Sequence, residues 1–120
     1  SLARPITKQY QSTDGTLSVL TLDRDIEDII EGSIQKSETS AYLALEPNTA
    51  EKFLTKLRSM IETITPTLET SPVLLASPGL RMHIRKFTER FLPDLAIISH
   101  SEVAPSVQIK TIGVVDLNAN

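Results

Sequence analysis

The stretch SPVLLASPGLRMHIRKFTERFLPDLAIIS, residues 71–99, decides the fold. Two short and almost wholly apolar runs, 72–77 and 95–99, flank a segment in which Leu80, Ile84, Phe87 and Phe91 recur at helical spacing. Runs this short, bounded by Pro and Ser, read as buried strands. Two such strands joined by a helix make a βαβ crossover with parallel neighbours and a sheet hidden by helix packing. Ser77 is placed to cap the helix, Pro78 suits its first position, and Pro93 ends it.

Working outward, residues 106–115 alternate first on Val107 and Ile109 and then on Ile112 and Val114, as a half-exposed strand would. Upstream, Asn48 followed by Glu51 resembles a capping box, and Ala50, Phe53, Leu54, Leu57, Ile61 and Ile64 mark a long helix that Pro66 stops. Residues 41–46 read as a short strand and 32–40 as a loop. Ile26, Ile29, Ile30 and Ile34 form the apolar stripe of another helix. Asp23 caps it, and Asp25, Glu27 and Asp28 lie near its positive end. Residues 16–22 read as a strand that carries Leu17 and Val19 and then, after a one-residue slip, Leu20 and Leu22; Thr13, Asp14 and Gly15 before it signal a turn. The order β-α-β-α-β-α-β-β predicts an α/β fold, a single small mixed sheet with helices packed on it and one βαβ crossover at 72–99. Residues 12–116 form this unit, 1–11 read as the tail of a preceding helical subdomain, and 117–120 as a polar tail.

A chain of 120 residues is at most one domain of ordinary size. Its apolar share of 40% builds one modest core, mostly of Leu, Ile and Val, since aromatics make up only 4%. No apolar run approaches the ~20 residues of a membrane span, and Ser rather than Met at position 1 suggests an excised fragment. With no Cys, disulfides and thiolate metal sites are excluded, and two His are too few for a His-rich metal centre. Net charge is −3, which argues against a nucleic-acid partner. The acids nevertheless dominate the region before residue 78, whereas Arg81, Arg85, Lys86 and Arg90 crowd one helix.

No Walker loop, dinucleotide fingerprint, H-E-x-x-H motif or EF-hand loop is present. Ser99 and His100 are neighbours at a strand end, so their side chains leave on opposite faces and do not make a catalytic pair. Neither an enzyme nor a cofactor is expected. The turn at 77–81, with Gly79 allowing close approach and Arg81 as a clamp, is the alternative site: a helix N-terminus for a phosphate, nucleotide or other anion in a small regulatory domain. The cations of the helix itself are poorly explained by local physics. Arg81 and Arg85 are four apart, as are Lys86 and Arg90. Like charges at that spacing repel, Arg81 sits at the positive end of the dipole, and only Glu89 offers relief to Arg85. An acidic partner, within the chain or on another one, is required.

The ordered set VLLAS, PGLR, a helix rich in basic and apolar residues, PDLAIIS, the acid of SEV, and VQIKTIGVV resembles the C-terminal end of the FHIPEP family. These are large export-gate proteins of bacterial flagella and of related type III secretion injectisomes. GTLSVLTLDRDIEDII and YLALEPNTAEKFLTKL fall upstream in the order such proteins show, and the flagellar branch is nearer by general likeness. The resemblance implies a non-enzymatic C-terminal cytoplasmic subdomain of a multi-pass inner-membrane protein, lying at the cytoplasmic face. Its partners would be neighbouring subunits of an export-gate ring, chaperone–substrate complexes and ATPase-complex components, with the membrane reached only through absent N-terminal parts and the isolated piece monomeric. Arg81 matches the arginine of the family's strand-turn-helix motif, and Glu102 its acid after the next strand. Arg81, Arg85, Arg90 and Glu102 are therefore the candidate protein-interaction residues, and Arg81→Ala is expected to weaken assembly or export without unfolding the chain.

Overall fold

The computed structural model describes residues 10–68 and 70–117. The expected helical tail at 1–11 lies outside these except for Tyr10 and Gln11, and the polar tail at 117–120 except for Leu117. The elements run β1 (Thr16–Leu22), α1 (Arg24–Gly32), β2 (Ile34–Lys36), β3 (Ala41–Leu43), α2 (Pro47–Ile64), β4 (Val73–Ala76), α3 (Pro78–Thr88), β5 (Ala96–Ser99) and β6 (Gln108–Val115). The architecture is α/β, and the expected single sheet resolves into two. One is a four-stranded sheet in the order β5-β4-β1-β6 with every pairing parallel; the other is an antiparallel hairpin of β2 and β3. The βαβ unit is as read, with Val73 opposite Ala96 and Ala76 opposite Ser99.

β1 is central and buried on both faces. Leu20 and Leu22 face the three helices, in a core with Ile26 and Ile30 of α1, Phe53 and Leu57 of α2, and Leu80 and Ile84 of α3. Leu17 and Val19 join Val73, Leu75 and Ile98 in a second cluster, against which Tyr10, Val103 and Val107 pack. Each such side chain taken wholly out of water contributes roughly 1.5–3 kcal/mol. The apparent slip in β1 is thus plain alternation between two buried faces. The irregularity lies on its partner: Val19 pairs with Thr111 but Leu20 with Gly113, so β6 carries an extra residue at Ile112. Helices cross on one face as the chain moves from β1 to β4 to β5. The return from β5 to β6 travels the opposite way, and its Val103 and Val107 pack on the opposite face. Reversing both direction and face keeps all the crossovers of one hand.

Several local expectations change. The loop at 32–40 contains β2, whose three residues are too few to show a period. Ile34 belongs to that strand and not to the stripe of α1, while Ile29 is exposed; Ile26 and Ile30 alone are buried on that helix. Asp23 does cap α1, accepting from the Ile26 N–H at 2.9 Å. Helix α2 starts one residue before Asn48, because Pro47 presets the first turn and makes Glu46 the N-cap. No side chain caps that helix; Thr49 Oγ1 instead donates to Glu46 Oε1. Helix α3 ends at Thr88, well before Pro93, where the buried hydroxyl of Thr88 donates to the Ile84 carbonyl at 3.0 Å. Phe91 therefore leaves the helical register and stands 48% exposed, while Leu95 takes the buried place. Phe87 keeps its expected position and stacks on Phe53, with centroids 6.0 Å apart.

Candidate protein-interaction surface

The sequence offers the start of α3 as either an anion site or a contact point. Ser77 is the N-cap residue, but its hydroxyl makes no capping bond; it donates to Glu27 Oε2 of α1 at 3.0 Å. A carboxylate is therefore already in place at this helix start, and Pro78 has removed one of the free N–H groups. Beside it runs an open groove of about 1040 Å³ between α1 and α3, lined by Arg24, Glu27, Asp28, Glu31, Lys36 and His83 among others. A second anion arriving here would be repelled by the acids of α1.

Arg81 does not reach toward that groove's mouth to clamp an oxyanion. Its Nε lies 2.7 Å from Glu102 Oε1. The Nε–H is buried and has no aligned acceptor, so charge at contact distance holds the pair rather than a well-directed hydrogen bond. Glu102 has a second task. Its Oε1 accepts from the Ser99 backbone N–H at 2.9 Å, and Ser99 Oγ closes a capping box over the short 3₁₀ turn His100–Glu102. Arg81 thus tethers the first turn of α3 to the segment that leaves β5. Ser99 is buried with its Oγ within hydrogen-bonding distance of Ser101 Oγ and Glu102 Oε1, while His100 is exposed and makes no hydrogen bond to it among the described residues.

The remaining cations are differently placed. Arg85 is half exposed, with Glu89 3.8 Å away and the Leu95 carbonyl accepting from its Nη1 at 3.4 Å. Lys86 and Arg90 are exposed and form no ion pair among the described residues. Of the residues singled out in the sequence, the fold therefore brings Arg81 and Glu102 together and leaves Arg85 and Arg90 outward. Lys86 belongs with this outward pair, and Met82, 60% exposed, heads the same stripe. The spacing of 82, 85, 86 and 89 could have revealed Met82 there, since these positions share one side of a helix. Among the described residues no group of three or more His, Cys, Asp or Glu side chains is placed to hold a metal ion.

This is a parallel α/β unit in which Arg81 and Glu102 tie α3 to the turn after β5, while Arg85, Lys86 and Arg90 stay at the surface. The chain belongs to the FHIPEP family, whose sequence pattern matches residues 1–108. It is 34% identical to the flagellar biosynthesis protein FlhA of Bacillus subtilis (strain 168), over 98% of this chain but 17% of that protein. The nonameric EscV cytosolic domain from the type III secretion system is similar in fold, with TM-score 0.71 and 28% identity over 98% of this chain and 34% of that one. The Chlamydia pneumoniae CdsV and CdsO protein complex contains a chain with TM-score 0.80 and 34% identity, matched over 92% of this chain and 32% of that one. The likeness reaches flagellar and type III secretion relatives at comparable identity. The present chain spans about one-sixth of the length of the curated relative it matches.

Proposed function

We propose that this chain is a C-terminal cytoplasmic subdomain of an export-gate membrane protein of a flagellar or type III secretion apparatus. Its contribution is made by contact and not by bond-making chemistry. It helps to assemble the export-gate ring and to dock export substrates, their chaperones or components of the ATPase complex. The observation that carries this reading is the outward row of Arg85, Lys86 and Arg90 on a unit whose fold matches one-third of a nonameric cytosolic domain. The complex of a relative with CdsO supports a role in receiving other polypeptides. Among the described residues no helix is long and apolar enough to cross a membrane, so in this reading the membrane is reached through other parts of a longer parent. Arg85 and Arg90 make the contacts directly, while Arg81 and Glu102 fix the helix that presents them.

The test is made in the parent protein. Removing residues 12–116 should abolish secretion of export substrates, and Arg85→Glu with Arg90→Glu should lower secretion while leaving the amount of protein in the membrane unchanged. Secretion that persists without residues 12–116 would overturn the reading.

A further inference from the structure

Helix α3 stops at Thr88, and the chain turns through Phe91, Leu92 and Pro93 before it enters β5. This turn and the last turns of α2 leave a hollow of about 300 Å³ between them, walled by Ile61, Pro72, Phe91 and Leu92. A second hollow of about 750 Å³ shares Ile61, Pro72 and Asp94 with it and continues past Thr65 and Thr70 to Tyr10. We infer that the joined trough holds an extended segment of another polypeptide, with a large apolar side chain set against Phe91 and a Lys or Arg beside it meeting Glu62 and Asp94. The inference rests on the docking role proposed above and names the chemistry of one partner. The trough lies where β4 and β5 begin, at the opposite end of those strands from the Arg81–Glu102 contact.

Charge selects the partner. Glu62 and Asp94 are exposed, line the smaller hollow and form no ion pair or side-chain hydrogen bond among the described residues. Arg58, one turn before Glu62 on α2, lines it too and is also without an ion pair among them. Two carboxylates and one guanidinium therefore rim an apolar floor, and an incoming cation meets net negative charge where an incoming acid is repelled. Phe91, 48% exposed, is the large apolar side chain that the fold leaves in water at this place, and a partner side chain laid on it takes both out of water. Shape disfavours a helix. The smaller hollow is too short for a row of anchors spaced along a helix face, and the larger one is walled by Thr65, Thr70 and Ser71, whose hydroxyls suit an extended backbone.

The probe is a short unstructured peptide, Leu flanked by Lys on both sides in a Gly and Ser background. It is titrated at near-physiological salt into the full 120-residue chain and followed by amide chemical shifts. Shift changes should centre on residues 58–62, 70–72 and 91–95. Peptides with Glu in place of Lys, or Ser in place of Leu, should bind at least about fivefold more weakly. Glu62→Gln with Asp94→Asn should lower affinity for the Lys peptide about fivefold, and Phe91→Ser about threefold, with unchanged circular dichroism in both. In the parent protein, alkylation of Phe91→Cys, mapped by mass spectrometry, should run as fast as in the isolated chain. Equal binding of the Glu peptide, shifts mapping elsewhere, indifference to the substitutions, or no binding at millimolar peptide would each overturn the inference. So would shifts at 91–95 that depend on protein concentration without peptide, which mark a second copy as the occupant, or protection of position 91 in the parent, which marks the parent's own remainder. None of these readouts uses secretion, so failure here is not mistaken for failure of the docking role.

Discussion

Arg81 and Glu102 meet at 2.7 Å across the space between the first turn of α3 and the turn that follows β5. Their contact answers the electrostatic problem that the sequence poses at Arg81, a cation at the positive end of a helix dipole. Because both groups are about one-third exposed, solvent screens the pair. Arg81→Ala should therefore cost about 0.5–1 kcal/mol, and Glu102→Ala about 1–2 kcal/mol, since it also removes the acceptor for the Ser99 N–H. Denaturant melts of both single variants and the double variant measure the coupling. A double variant whose loss equals the sum of the singles would show that the two do not act together.

Phe91 and Ile84 were read from the sequence as members of one core face, and the structure separates them. Phe91→Ser should change stability by no more than about 0.5 kcal/mol, whereas Ile84→Ala, at a fully buried position, should cost about 2–5 kcal/mol. Equilibrium unfolding of the two variants side by side is sufficient. A large loss from Phe91→Ser would place that ring in the core after all.

Gly113 lies where the extra residue of β6 brings the strand under α2. A methyl group built there would stand 2.7 Å from Met60 Cε and 2.9 Å from Leu20 Cδ2. The Met60 tip can swing aside, but Leu20 is fully buried in the core, so Gly113→Ala should cost about 1–3 kcal/mol. At Gly79 a methyl group meets nothing within 4 Å, and Gly79→Ala should stabilise α3 by about 0.5–1 kcal/mol. The two thermal shifts should have opposite signs.

Asp14 titrates below the ordinary aspartate value, first because its carboxylate accepts from the Thr16 backbone N–H, at 3.0 Å, and next because the Thr16 hydroxyl also donates to it. A depressed folded-state value contributes stability above the unfolded value, and that contribution is lost as pH falls through the folded one. The group is fully exposed, so the effect is confined to the turn before β1. Carbon-detected carboxyl titration should show Asp14 protonating at lower pH than in the unfolded chain, and the Thr16 amide shift should follow the same curve. A midpoint at the ordinary aspartate value would mean that this bond is absent in solution.

Legibility in the sequence followed the range of the interactions concerned. The crossover at 72–99, β1, and the cap at Asp23 were readable because each is a local pattern of apolar runs, helical spacing and a short polar side chain beside its own backbone. The short strand expected at 41–46 is β3, Ala41–Leu43, but its partner β2 was not readable, since Ile34 pairs with Leu43 across a polar turn and shows its apolar purpose only once both pack against the core. The end of α3 was misplaced for a related reason: Thr88 is buried and bonded back to Ile84, and propensity alone does not distinguish it from a surface threonine.

The row of cations was written in the sequence, as was the fact that like charges four residues apart leave it in need of acids. Which of those cations find acids within the chain was decided only by the tertiary structure. The β5–β6 return carries Glu102 to Arg81 and carries nothing to Lys86 or Arg90 among the described residues. The sequence sets charges and periods along one dimension, whereas an ion pair depends on a few ångströms between segments that only the packed sheet brings together.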